Sequence, residues 1–163
     1  MRLSFRLKHY FFSAFREFFV HHHGSLEFRA KIFALIIASN DKPSVESYVI
    51  VKKNGLEIYN NDEDRANLLM ISTKEMVKKV QDNNGLDIDT LVSNIQKELK
   101  IIPRYAKKID VESLKPIIAL THDRDSSDYQ NNIIEFLSKL KKETLQDKKT
   151  QIKKDEEKLD SRY

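Results

Sequence analysis

Cysteine is absent from this 163-residue chain, which removes disulfide scaffolds, zinc–thiolate sites and thiol nucleophiles. A reducing compartment is compatible with that absence and is not demonstrated by it. Glycine and proline, three of each, are too scarce for a hairpin-rich β fold and suit helices instead. No stretch approaches the run of about 18 apolar residues that a membrane-spanning helix needs. No glycine-rich phosphate loop, HExxH helix or serine elbow occurs, so the common signatures of phosphoryl transfer, zinc proteolysis and acyl transfer are missing. The length suits one ordinary domain.

What is present is charge, unevenly placed. The formal net charge of +4 comes from the ends: residues 1–24 carry four Lys or Arg against one acid, and residues 141–163 carry eight against six. Between them, residues 25–140 hold 17 basic and 18 acidic side chains. Nucleic-acid binding normally concentrates positive charge on the folded body, where it neutralises phosphates. This body is close to neutral, so nucleic acid is not the expected partner, and contact through the two basic ends is only a third reading.

Six of the nine Phe fall in the first twenty residues. Leu3, Leu7, Phe11, Phe15 and Phe18 recur at helical spacing, with Arg2, Arg6 and Arg16 on roughly the opposite side. Two readings stand. The segment lies on an anionic membrane surface, aromatics in the headgroup region, or it packs on the body or a protein partner with its cations in water. A targeting segment is a weaker third, since no small-residue cleavage site follows. His21, His22 and His23 come next; adjacent side chains in one turn diverge, so a linker is expected rather than a metal cage.

The body reads as helices. Ser25 is expected to cap the first, whose run Ile32–Ala38 is apolar on nearly every side and predicts a buried central helix. Ser44 is expected to cap a second helix ending near Gly55 as a left-handed C′ residue. Asn61 or Asp62 opens a third, which Ser72 and Thr73 divide. Asp87 or Asp89 opens a helix bearing Leu91, Ile95 and Leu99. Pro103 marks a boundary, Pro116 predicts a kink unless its helix starts late, and Ser126 is expected to cap the helix carrying Ile133 and Leu137.

Residues 32–54 laid on 114–136 give an internal echo at an offset of 82: Asp41-Lys42-Pro43-Ser44-Val45-Glu46 falls on Asp123-Arg124-Asp125-Ser126-Ser127-Asp128. Each unit reads as apolar helix, acidic turn, helix. The expected fold is therefore all-α, a compact multi-helix bundle built from two related helical pairs.

With these turns in view the chain resembles the TerB-like family, named for tellurite resistance. Its usual turn reads approximately Ala-x-Ala-Asp-Gly-x-Val-Ser-x-x-Glu after an apolar helix. Asp41 and Asp123 match the turn aspartate, while Lys42 and Arg124 stand where that turn has Gly. The resemblance covers roughly residues 25–140. It implies a compact helical domain of two related pairs and links to metal or stress responses in bacteria, beside membrane or chaperone-related segments.

The acids Asp41, Glu46, Asp123, Asp125 and Asp128 are the candidate metal ligands, for a divalent cation such as Ca²⁺, Mg²⁺ or Mn²⁺. Against that stand helix-start capping, local pairing with Lys42 and Arg124, and a charged partner surface. His122 beside Asp123 is the one acid–base pair, and catalysis is not expected from it. In the tail, Leu145, Ile152 and Leu159 are seven residues apart. That stripe suits partner capture, and the lysine–acid mixture around it suits a solvated helix or a disordered tail.

The expectation is a non-catalytic helical adaptor or scaffold with an amphipathic segment at 1–24, a helical domain at 25–140 and a charged helical or disordered tail at 141–163. It is cytoplasmic, held peripherally at the inner membrane if residues 3–19 meet lipid. A protein partner is expected and a small-molecule substrate is not. The alternative is a divalent-cation-binding stress-response module.

Overall fold

The structure, a computed structural model, describes residues 24–162. Residues Leu3, Leu7, Phe11, Phe15, Phe18, Arg2, Arg6 and Arg16, with the three consecutive histidines, lie outside them. The described residues form six α-helices and one 3₁₀ helix, with no strand among them. These are α1 (Gly24–Ala38), α2 (Glu46–Ile58), α3 (Glu63–Gln81), α4 (Ile88–Ile101), the 3₁₀ helix Pro103–Lys108, α5 (Lys115–Ile118) and α6 (Arg124–Asp160).

α1 sits at the centre because its sequence leaves it nowhere else to go. Leu26, Phe28, Ala30 and every residue from Ile32 to Ile37 are buried, on all sides of the helix. Burying each large apolar side chain contributes about 1.5–3 kcal/mol, and a helix apolar all round can collect that only when surrounded. α3 packs along both α1 and α2, α4 lies against α1, and the 3₁₀ helix bridges α1, α4 and α6. Ser25 lies within α1 rather than ahead of it. α4 shows the simpler pattern: Leu91, Ile95 and Leu99 form one buried stripe four residues apart. Lys31, one charge on α1, reaches Glu98 of α4 at 2.8 Å, both being partly shielded from water.

The helix ends have identifiable causes. Asp62 and Asp87 cap α3 and α4, their carboxylates accepting from the amides of Arg65 and Thr90. α2 closes where Asn60 and Asn61 take left-handed backbone angles (φ 53° and 64°), and the Asn61 amide reaches back to the Leu56 carbonyl at 2.8 Å. α3 closes in the same way through Asn83 (φ 50°) and a bond from the Asn84 amide to the Lys79 carbonyl. Both are left-handed closures in which an amide beyond the helix end satisfies a terminal carbonyl.

Three further expectations are corrected here, and a fourth meets its stated exception. Gly55 is not a C′ residue: it is buried inside α2, where the chain passes against Ala66 of α3. Ser72 and Thr73 do not divide α3, because the Thr73 hydroxyl donates to the Leu69 carbonyl one turn back at 2.7 Å and so satisfies itself inside the helix. Pro116 meets the exception allowed for it: its helix starts late, so it occupies the first turn of α5, where its missing amide has no intrahelical partner to lose. Ser126 is not the cap of α6; Asp123 is.

The two related units are therefore unequal. In the first, α1 has 15 residues before its turn; in the second, α5 has four. A helix spanning the second apolar run can start only at Lys115-Pro116, which leaves room for one turn before the loop. The helix after the turn also opens earlier in the second unit's register, from Asp123 rather than from Ser126, the position matching Ser44.

Candidate functional site

The predicted acidic turns come together, but not through their carboxylates. Asn40, in the first turn, donates from Nδ2 to the Thr121 hydroxyl in the second at 3.3 Å. Thr121 in turn donates to Oε1 of Gln130 at 2.7 Å, and Nε2 of Gln130 donates to the Ile36 carbonyl at 2.9 Å. The side-chain oxygen of Asn40 accepts from the Lys42 amide. Residues Asn40 and Gln130 are both buried, so each polar atom must find a partner inside the protein. The network does a second task. The last carbonyls of a helix have no intrahelical donor, and α1 ends inside the bundle. Ser39 Oγ covers Leu35, Gln130 covers Ile36, and the Asn40 amide covers Ile37.

Reading acids off the turns missed the trio Asn40, Thr121 and Gln130. The available signal was Gln130 itself, which shares a helical face with Ser126, Ile133 and Leu137, all buried. A polar amide on that apolar stripe requires a buried partner.

The candidate ligands are placed differently. Asp41, Glu46, Asp125 and Asp128 are exposed to solvent. The Glu46 amide donates to the Ser44 hydroxyl at 3.2 Å, while the residue from which α2 opens is Val45, which makes no side-chain cap bond. Asp123 accepts from both the hydroxyl (2.9 Å) and the amide (3.1 Å) of Ser126. Those bonds, the hydroxyl's first, hold its carboxyl below the ordinary value of 3.8. His122 is exposed beside a carboxylate that is already committed to Ser126. Lys42 and Arg124 form no ion pair with a described acid. Among the described residues no group of three or more His, Asp or Glu side chains is arranged to hold a metal ion.

The cap of α6 has a pH signature. A depressed folded pKa means the cap contributes fully above the unfolded carboxylate range and is lost as pH falls through the lower folded value. Stability measured by urea unfolding between neutral pH and about pH 2 should fall with acid in the wild type. It should fall less steeply in Asp123→Ala; identical slopes would show that the Ser126 bonds carry no charge-dependent stability.

The second feature is at the other end of α6. This helix runs 37 residues, about 55 Å at 1.5 Å per residue, and passes residue 140 without a break. From Gln146 to Asp160 every residue except Lys148 is exposed. Leu145 packs partly against the core, while Ile152 and Leu159, further along the same stripe, are 48% and 57% exposed. The overhang and the end of α4 enclose an open groove of about 580 Å³, with Leu99, Pro103, Leu140 and Ile152 on its apolar side and Lys100 and Glu143 among its polar lining.

No family model matches the chain, and no curated protein or solved structure matches it. The TerB-like and stress-response assignments therefore have no support from relatives, and what stands in their place is an all-α helical bundle. The membrane-associated assignment has no support either: among the described residues no helix is long and apolar enough to cross a membrane, and residues 3–19, on which surface contact rested, lie outside them.

Proposed function

We propose that the chain is a non-catalytic helical adaptor whose α6 overhang recruits a protein partner by pairing with an amphipathic helix. The observation that carries this reading is the continuation of α6 beyond the bundle, with Ile152 and Leu159 aligned and open to solvent. A solvated helix of this length gains nothing from apolar side chains at seven-residue intervals, whereas a second helix crossing at a shallow angle buries them. Lysines and acids alternate around the stripe, which suits selection of a partner by charge pairs flanking an apolar seam. The bundle holds the overhang in place, and Leu145, with one side in the core, fixes where the free stripe begins. Recruitment needs no reactive group; it works by raising the local concentration of whatever the partner carries.

The test uses the full chain and the double variant Ile152→Glu/Leu159→Glu. Both positions are exposed, so helix content by circular dichroism should be unchanged. Affinity capture from the native cell should recover a stoichiometric partner with the wild type and lose it with the variant. Equal recovery by both would overturn the reading. So would a concentration-dependent dimer of the wild type that the variant abolishes, because the stripe's occupant would then be a second copy.

A further inference from the structure

The neutral charge of the body conceals a local excess. Arg29 of α1, Lys107 and Lys108 of the 3₁₀ helix and Lys141 of α6 line one cavity of about 230 Å³, floored by Ile32 and Phe33. Cations from three separate elements converge there, and none of them forms an ion pair with a described acid. One carboxylate, Asp110, also lines the cavity and is exposed to solvent.

Two of the cations are fixed by the protein. Arg29 donates to the Tyr59 hydroxyl at 3.4 Å with its guanidinium 5.6 Å from the ring centre, and Lys141 donates to the Ile109 carbonyl at 2.7 Å. Each keeps further N–H donors free of these bonds. Lys108 is half-buried, and its ammonium is pushed below its ordinary pKa by burial first and then by the charges of Arg29 and Arg104. Like charges held close in a partly enclosed site are a standing cost that a bound anion removes. A tetrahedral dianion can accept from several such donors at once.

We propose that this cavity binds a small dissolved oxyanion of the phosphate class, held between Arg29, Lys108 and Lys141 with Lys107 at the rim. The volume lies below the range of about 300–1,000 Å³ usual for drug-sized ligands, so the ligand is a phosphate or a phosphate on a short stem. The apolar floor takes that stem.

The experiment titrates the full chain with inorganic phosphate at constant ionic strength, chloride making up the balance, followed by residue-resolved NMR. Saturable shifts should appear at the amides of Lys107, Lys108, Asp110 and Ser113. Lys108→Gln should weaken the binding by about tenfold or more, the loss of one charge-assisted hydrogen bond. Lys79→Gln, a charge change on α3 away from the cavity, should leave it unchanged. A wild-type melting temperature that rises with phosphate gives a readout independent of any variant. Shifts that grow linearly without saturation, or equal weakening by Lys108→Gln and Lys79→Gln, would overturn the proposal by showing general screening.

Discussion

Replacing Gly55 with Leu should destabilise the protein by about 3 kcal/mol, the upper end of what inserting volume into a packed interior costs. The reason is a backbone contact. A Cβ built on Gly55 lies 2.9 Å from Cα and 3.1 Å from Cβ of Ala66, with Leu69 Cδ2 at 3.4 Å. A side chain can rotate away from such a clash, but a Cα on a buried helix cannot. α2 and α3 would have to separate, and the packing of α3 on α1 would open with them. Gly55→Ala sharpens the argument because two effects oppose. Alanine is favoured over glycine in a helix interior by about 1 kcal/mol, whereas overpacking costs about 1–3 kcal/mol. The contact should win, leaving a net loss of about 1 kcal/mol. Adding Ala66→Gly to Gly55→Ala removes the 3.1 Å contact and keeps the one at 2.9 Å, so rescue should be partial. Urea midpoints with unchanged slopes would measure all three. A more stable Gly55→Ala would mean that the helices tolerate separation and that propensity governs the site.

Gly55 also marks where local reading stops. In sequence it follows Lys53 and Asn54 and looks like punctuation, and close behind it come the asparagines that do end the helix, Asn60 and Asn61. Glycine as a terminator and glycine as a place for close approach have the same letter. The difference lies in whether another backbone arrives, which is a tertiary fact. What was legible had local causes. The buried α1 follows from an apolar run with no polar face. The Asp62 and Asp87 caps follow from an acid three residues before an available amide, and the α4 stripe from its four-residue spacing. Thr73 defeated the reading because a hydroxyl that breaks a helix in water can bond back within it when buried.

The candidate site was legible in outline only. The repeat correctly brought two turns to notice, and Asn40 bonds Thr121 across them. The resemblance between the turns lies in their acids, however, and acids at exposed turns have no need to meet. The contact is made by an amide and a hydroxyl that do not match in the register of the repeat, backed by Gln130 from the following helix. The α6 overhang was divided by a composition change at residue 141, while the backbone continues because nothing in the lysine-rich sequence after it terminates a helix before Ser161.

Gln130 is the residue on which that contact depends, and its substitution should be as costly as that of Gly55. Gln130→Met keeps the volume and removes the donor and the acceptor together. The Ile36 carbonyl then has no replacement, because the Asn40 amide that would reach it in a continuing helix bonds Ile37 instead. The Thr121 hydroxyl loses its acceptor as well. The stranded, buried Ile36 carbonyl costs about 1–3 kcal/mol and the part-buried Thr121 hydroxyl adds less, so a total of about 3 kcal/mol is expected, lowering the melting temperature by roughly 10 °C for a chain of this size. Gln130→Glu distinguishes lost hydrogen bonding from lost packing. In that variant a protonated carboxyl can still donate to the Ile36 carbonyl, whereas a carboxylate cannot and would face its oxygen. Burial raises the folded pKa of such a group above its unfolded value of about 4.3. The variant should therefore approach wild-type stability below about pH 4 and lose it progressively as pH rises through the folded value. Urea unfolding of the two proteins across roughly pH 3–8 reads this difference directly, and a gap between them that does not change with pH would show that the amide donor to α1 is not what Gln130 supplies.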